Sequence, residues 1–181
     1  MRGILRDALP EVEAVDATAE ELPFEDGSVD AITVAAAFHW FDVPRALDEF
    51  ARVLSPGGGL GLAWNRRDPS VQIHRELDEL VVRSGAAPSR LRGFDVYRYF
   101  PHGAFGPLEE AEFTQEQRFD PDGLVERMLS ISFVALLADD EREELLARVR
   151  AIGERHGSPI AFPYRAEVFV AAKAPSRNRG A

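Results

Sequence analysis

Side chains able to do polar chemistry are few and unevenly placed in this sequence. It has four histidines and no cysteine, which removes disulfides, thiolate metal sites and a cysteine nucleophile together. No His-x-x-His or His-Glu-x-x-His pair occurs, so the spacing that would hold a metal ion is missing as well. His39 has the informative context: it directly follows an apolar run at residues 29–37 and stands beside Trp40. An imidazole can take or orient a proton near neutral pH, and ligands of open α/β sheets gather outside the carboxyl ends of the strands. Two readings of His39 stay open, a general base or acceptor-positioning group and a packed member of the cluster Phe38, His39, Trp40 and Phe41. His74, His102 and His156 stand singly, which suits surface or structural roles. The run Gly57-Gly58-Gly59-Leu60-Gly61 resembles a phosphate loop only superficially. It follows a predicted helix and opens a predicted strand, the reverse of the dinucleotide arrangement, so it reads as a helix stop and turn. Ser28, Ser130 and Ser132 lack the flanking glycines of a nucleophile elbow.

Bulk properties narrow the classes further. The 181 residues suit one domain, expected over residues 1–174 with a disordered tail at 175–181. With 21 basic and 31 acidic residues the net charge is -10, which disfavours nucleic acid and anionic membranes as partners. No stretch approaches the roughly 20 apolar residues of a membrane span, and residues 1–10 lack the apolar core of a signal peptide. The expected address is the cytoplasm.

The elements that must position His39 follow from periodicity. Residues 2–9 read as a short helix stopped by Pro10, and residues 12–15 as a brief strand. Residues 29–37 read as a parallel strand covered on both faces. Asp42 is placed to cap the next helix, with Pro44 in its first turn and Ala46, Leu47, Phe50, Ala51 and Leu54 on one face. Residues 55–58 end it and 60–64 form a second buried strand, giving the alternation of a parallel α/β sheet. Further on, the pattern predicts a helix capped by Ser70, an irregular stretch over 85–106, a polar edge strand over 113–119 and a helix over 122–137. A second helix is predicted to start with the capping box Asp140-x-x-Glu143, and a last strand has Tyr164, Ala166, Val168 and Val170 on its covered face.

Four stretches taken in order carry a family resemblance: Thr18-Ala19-Glu20-Glu21-Leu22-Pro23-Phe24, Asp26-Gly27-Ser28-Val29-Asp30, Ala37-Phe38-His39-Trp40-Phe41-Asp42 and Arg52-Val53-Leu54-Ser55-Pro56-Gly57-Gly58. Together they resemble the class I S-adenosylmethionine-dependent methyltransferases of type 11. The resemblance implies a doubly wound, Rossmann-like α/β sheet of strand order 3-2-1-4-5-7-6 with the last strand antiparallel. It implies S-adenosylmethionine as cofactor and a small-molecule acceptor. Thr18, Ala19 and Glu20 would border the adenine, with Thr18 where the family commonly has Asp. Ala35, Ala36 and Phe38 would border the methionine part, and His39 would serve the acceptor. A sulfonium near Phe38 or Trp40 would gain about 0.5–2 kcal/mol from cation-π attraction.

One part of the family pattern has no counterpart here. The acidic-x-Gly-x-Gly loop of strand one and the ribose-binding carboxylate of strand two fall before the helix matching residues 2–9. The sheet is therefore expected to be incomplete, its first two strands missing and strand 29–37 left with an open edge prone to self-association or to pairing with a complementing chain. Each lost hydrogen bond is worth about 0.5–3 kcal/mol against the roughly 8 kcal/mol of a micromolar site. Methyl transfer is accordingly expected to be impaired, the alternative being an inactive remnant or interaction protein.

Overall fold

A computed structural model describes residues 2–84 and 94–175. Residues 176–181 of the expected tail and residues 85–93 of the irregular stretch lie outside the described residues. Helix α1 (Arg2–Ala8) leads through an extended segment to strand β1 (Val29–Ala35), a short 3-10 turn (Phe38–Trp40), helix α2 (Val43–Val53) and strand β2 (Leu54–Arg67). Helix α3 (Gln72–Arg83), a second 3-10 turn (Val96–Tyr99), strand β3 (Glu109–Phe119), helices α4 (Pro121–Leu129), α5 (Ser132–Ala135) and α6 (Asp139–His156), and strand β4 (Ile160–Ala172) follow.

The four strands pair in the order β1-β2-β4-β3. This is the 4-5-7-6 portion of the order the resemblance implies. Gly58 and Gly61 of β2 lie against Asp30 and then Ile32 and Thr33 of β1, so these two strands run parallel. Going up β2 from Gly58 to Arg66, the neighbour on β4 falls from Lys173 to Glu167, so the last strand is antiparallel, as expected. Two glycines make the entry to β2 possible. Gly57 has φ +80, and a Cβ at Gly58 would stand 2.8 Å from the Asp30 carbonyl oxygen, closer than side-chain carbons pack.

The described chain divides into two compact units. The first comprises residues 1–61, 99–108 and 170–181, the second residues 62–98 and 109–169. In the first, α2 buries Val43, Ala46, Leu47, Phe50 and Val53, the i, i+3, i+4, i+7 stripe of an amphipathic helix. Asp42 caps it through its side chain, accepting from the Arg45 N–H at 3.4 Å. The second unit is built on α3, α4, α6 and the first half of β4, with Leu77, Leu124, Val149 and Phe162 deep in its core.

Several expectations need correction. Residues 12–15 form no strand; Val12 is exposed, and nothing among the described residues pairs with that segment. Strand 29–37 stops at Ala35, and of its residues only Val34 is buried, because among the described residues β1 stands at the end of the sheet with β2 on one side only. The helix stop at 55–58 is instead the start of β2, which leaves α2 directly in extended conformation at Leu54. Ser70 does not cap α3; its N–H bonds to the Asp68 carboxylate at 2.8 Å, and the helix begins after Val71. Likewise Ala138, not Asp140, precedes α6. The predicted helix over 122–137 is capped by Asp120 and breaks at Ser130 into α4 and α5. On β4 the covered positions change phase: Ile160, Phe162 and Tyr164 are buried, then Phe169 and Ala171, which leaves Val170 exposed. The polar edge strand is confirmed, at Glu109–Phe119, and it is exposed along nearly its whole length.

Candidate functional site

At the carboxyl end of β1 the chain turns sharply. Immediately after the strand, Ala36 has φ 51, the left-handed region that costs a residue bearing a Cβ about 1–2 kcal/mol. Such strain persists only where its surroundings impose it, and it gathers at functional turns. Here it reverses the chain so that residues 38–40 coil into the 3-10 turn instead of extending the strand. Phe38 is 0% exposed and meets Phe41 edge-to-face at 6.1 Å, and Phe41 in turn meets Phe50 of α2 at 6.3 Å. These three rings anchor the turn on the helix. What the turn presents outward is the pair His39 and Trp40, their rings 5.3 Å apart, with Trp40 40% exposed.

The structure brings the second expected segment to the same place. Thr18 forms an isolated antiparallel bridge with Glu21, which folds residues 18–21 into a tight turn. Glu20 reaches from it to the start of α2, where its carboxylate accepts the Asp42 N–H at 2.8 Å. That bond, ahead of one from the Thr18 side chain and the nearby charge of Arg45, holds the Glu20 carboxyl below the usual range. A cleft of about 350 Å³ beside the turn is lined by Asp16, Ala17, Thr18, Glu21, Leu22 and Pro23. Ala35 and Ala36 are exposed at the end of β1, and Ala19 is half-buried. Phe38 is the exception among the expected residues: its ring lies in the core, and the exposed ring of the turn belongs to Trp40.

Two residues given no role in the sequence pattern, Glu49 and the motif residue Arg52, hold this arrangement. Glu49 accepts from Arg52 at 2.7 and 2.8 Å and from the Leu22 N–H at 2.7 Å. Arg52 also donates to the carbonyls of Leu22 and Phe24 at 3.0 and 2.8 Å and to Asp26 at 2.7 Å. The pair clamps residues 22–26 onto α2. Arg52, and then the Leu22 amide, keep the Glu49 carboxyl at about 2. Only the i, i+3 spacing of the pair was visible in sequence; its backbone partners lie far upstream. A larger cleft of about 600 Å³, lined in part by Arg52, Ala104 and Lys173, sits where Lys173 Nζ donates to the Leu54 carbonyl. That is the amino end of β2, the end of a parallel sheet where ligands do not gather.

A family model described as a methyltransferase domain, type 11, matches residues 1–62. An uncharacterized methyltransferase of Mycobacterium tuberculosis is 38% identical over 169 residues, covering 91% of this chain and 67% of the relative. The chain belongs to the class I S-adenosylmethionine-dependent methyltransferase family. An uncharacterized methyltransferase-like protein of Schizosaccharomyces pombe is 30% identical to this family member, over 98% of this chain and 71% of its own length. Among solved structures, one named as a type II methyltransferase from Anaeromyxobacter dehalogenans superposes on this methyltransferase with a TM-score of 0.50 at 26% identity, covering 88% of this chain and 69% of the other. Among its described residues, no helix is long and apolar enough to cross a membrane.

Proposed function

We propose that this chain transfers a methyl group from S-adenosylmethionine to a small-molecule acceptor, with transfer impaired because the sequence holds no counterpart of the acidic-x-Gly-x-Gly loop. The observation that carries the reading is the strained turn at Ala36, which ends β1 by presenting His39 and Trp40 while Glu20 bonds the 18–20 turn alongside. The residues present fit two parts of the cofactor. The cleft at residues 16–23 has an apolar side in Ala17, Leu22 and Pro23 and polar groups in Asp16 and Thr18, which suits a flat heterocycle with an amino group. The exposed Trp40 ring suits a sulfonium.

When bound, the cofactor supplies an electrophilic methyl group. The chain's own work is then proximity and orientation, the principal source of acceleration in such a displacement. Thr18 and Ala19 border the adenine, and the backbone of Ala35 and Ala36 borders the methionine part. His39 accepts the proton of the acceptor's attacking group or fixes its direction by a hydrogen bond. His39→Ala is therefore expected to lower kcat while leaving S-adenosylhomocysteine affinity within about threefold, the signature of a group acting on the reacting atoms and not on cofactor binding.

A second reading is favoured by one observation. Among the described residues β1 has a neighbour on one side only, and Ile4, Leu9 and Val12 of the same unit are exposed, a surface that suits completion of the sheet by further polypeptide. The two readings part on S-adenosylhomocysteine titration, a labelled-methyl transfer assay over a panel of small acceptors, and light scattering. Saturable binding with label transfer supports the enzyme. A folded chain that self-associates, does not bind and does not transfer label supports the interaction protein.

A further inference from the structure

Residues 18–20 and the His39–Trp40 turn are far apart in the chain, and a polar contact ties them together. The Glu20 carboxylate accepts the Asp42 N–H at 2.8 Å. Asp42 ends the turn and caps α2, and Phe41 beside it is pinned between Phe38 and Phe50. The bond therefore joins residue 20 to a segment that is packed on α2 through Phe41. The neighbouring bonds from Glu49 and Arg52 reach Leu22, Phe24 and Asp26, further along the loop, and leave residues 18–20 to be set by Glu20. The Asp42 amide belongs to the site's own frame, so this bond of the Glu20 carboxylate is internal to it. A carboxylate on an amide at a helix start is charge-assisted and directional.

We propose that Glu20 is a positioning residue: by holding the Asp42 amide it sets the spacing between the 18–20 turn and His39–Trp40, and with it the geometry in which the two ends of one cofactor are held. The proposal rests on the methyl-transfer reading and deepens it. It removes Glu20 from the ligand contacts that the family resemblance implies and gives it a different task. Misplacement of a reacting group by about 1 Å costs on the order of a hundredfold in rate, so a half-exposed bond of modest stability value can matter greatly to function.

The test uses the full chain, uniformly ¹⁵N-labelled, as wild type, Glu20→Ala and Glu20→Gln, with S-adenosylhomocysteine as the probe. In Glu20→Ala the Asp42 amide and Trp40 indole signals should move while the indole signal of Trp64, in the other unit, stays in place. The melting midpoint should fall by no more than about 3 °C, and S-adenosylhomocysteine affinity should drop about tenfold. Glu20→Gln keeps an acceptor oxygen and should recover most of the affinity. An unmoved Asp42 amide in Glu20→Ala overturns the proposal, as does a moved amide with unchanged affinity. So does a Glu20→Gln variant as impaired as Glu20→Ala, which would mark Glu20 as a direct charge contact to the ligand. If the wild-type chain binds no S-adenosylhomocysteine, the methyl-transfer reading is what fails. The amide and indole signals then still decide the positioning role, supporting it if they move together and overturning it if they do not.

Discussion

Replacing Glu49 by glutamine removes one charge and leaves the shape of the clamp on residues 22–26 nearly unchanged. The Glu49 side chain is 13% exposed and its partner Arg52 34% exposed. The carboxyl is held at about 2 against an ordinary 4.5, first by hydrogen bonds from Arg52 and then by the Leu22 amide. That gap sets a ceiling of roughly 3 kcal/mol on what ionised Glu49 contributes to folding. Because a third of Arg52 meets solvent, screening reduces the working figure to about 2 kcal/mol. The sign is fixed by the lowered pKa: the native state favours the ionised form, so the contribution is complete above about pH 5 and is lost as pH falls towards 2. Glu49→Gln should therefore lower the melting midpoint at pH 7 by about 4–8 °C for a chain of this length. Near pH 3 the gap between variant and wild type should shrink to less than half. Urea titrations at the two pH values give the same comparison as free energies. An equal deficit at both pH values would mean that shape and not charge matters, and no deficit at pH 7 would mean that the clamp is spent on solvent; either result refutes the reasoning.

Two further outcomes follow from single residues. His74 is wholly buried against Phe162, ring centres 4.3 Å apart, and burial, against the pull of its bond to the Asp68 carbonyl, lowers its pKa from 6.5. The unfolded chain then binds the proton more readily, so wild-type stability should fall as pH drops below about 6.5, and His74→Phe should flatten that slope in urea titrations between pH 7 and 5. Ala36→Gly relieves the left-handed strain at φ 51 and should be neutral to stabilising by up to about 1 kcal/mol, whereas Ala36→Val should cost at least as much; a Gly variant clearly less stable than wild type in the same titration would show that the turn is not strained.

Legibility in the sequence followed the range of the interactions involved. The α2 stripe and its Asp42 cap were readable because capping and amphipathic packing act within one or two turns. The alternation of β and α elements was readable for the same reason, while the order of β1, β2, β4 and β3 was implied by the family resemblance alone. The errors fall where a local signal met a competing neighbour. Ser70 looked like a cap, but Asp68 two residues earlier takes its N–H, and the helix starts later. The alternation predicts one phase along β4, yet the covered face changes between Tyr164 and Phe169, where Phe169 turns to the rings of Trp64 and Tyr97, partners distant in sequence.

The site shows the same division more sharply. Residues 35–39 could be placed at the end of a strand from hydrophobicity alone, but nothing local says which of the consecutive rings at 38, 40 and 41 turns outward. The left-handed conformation of Ala36 decides it, and alanine carries no sequence signal for that conformation. Once the chain reverses there, Phe38 falls inward against Phe41, and the exposed ring becomes Trp40. Glu20 presented the opposite difficulty. Its residue type and its place in the motif suggested a ligand contact, while its actual partner is the backbone N–H of Asp42, which every sequence supplies at every non-proline position. A carboxylate bound to a backbone group cannot be recognised from residue types, because the partner has no identity to read. The same holds for Arg52 on the carbonyls of Leu22 and Phe24. The frame of this site is made largely of side-chain-to-backbone bonds, which is why its outline was visible in the sequence and its construction was not.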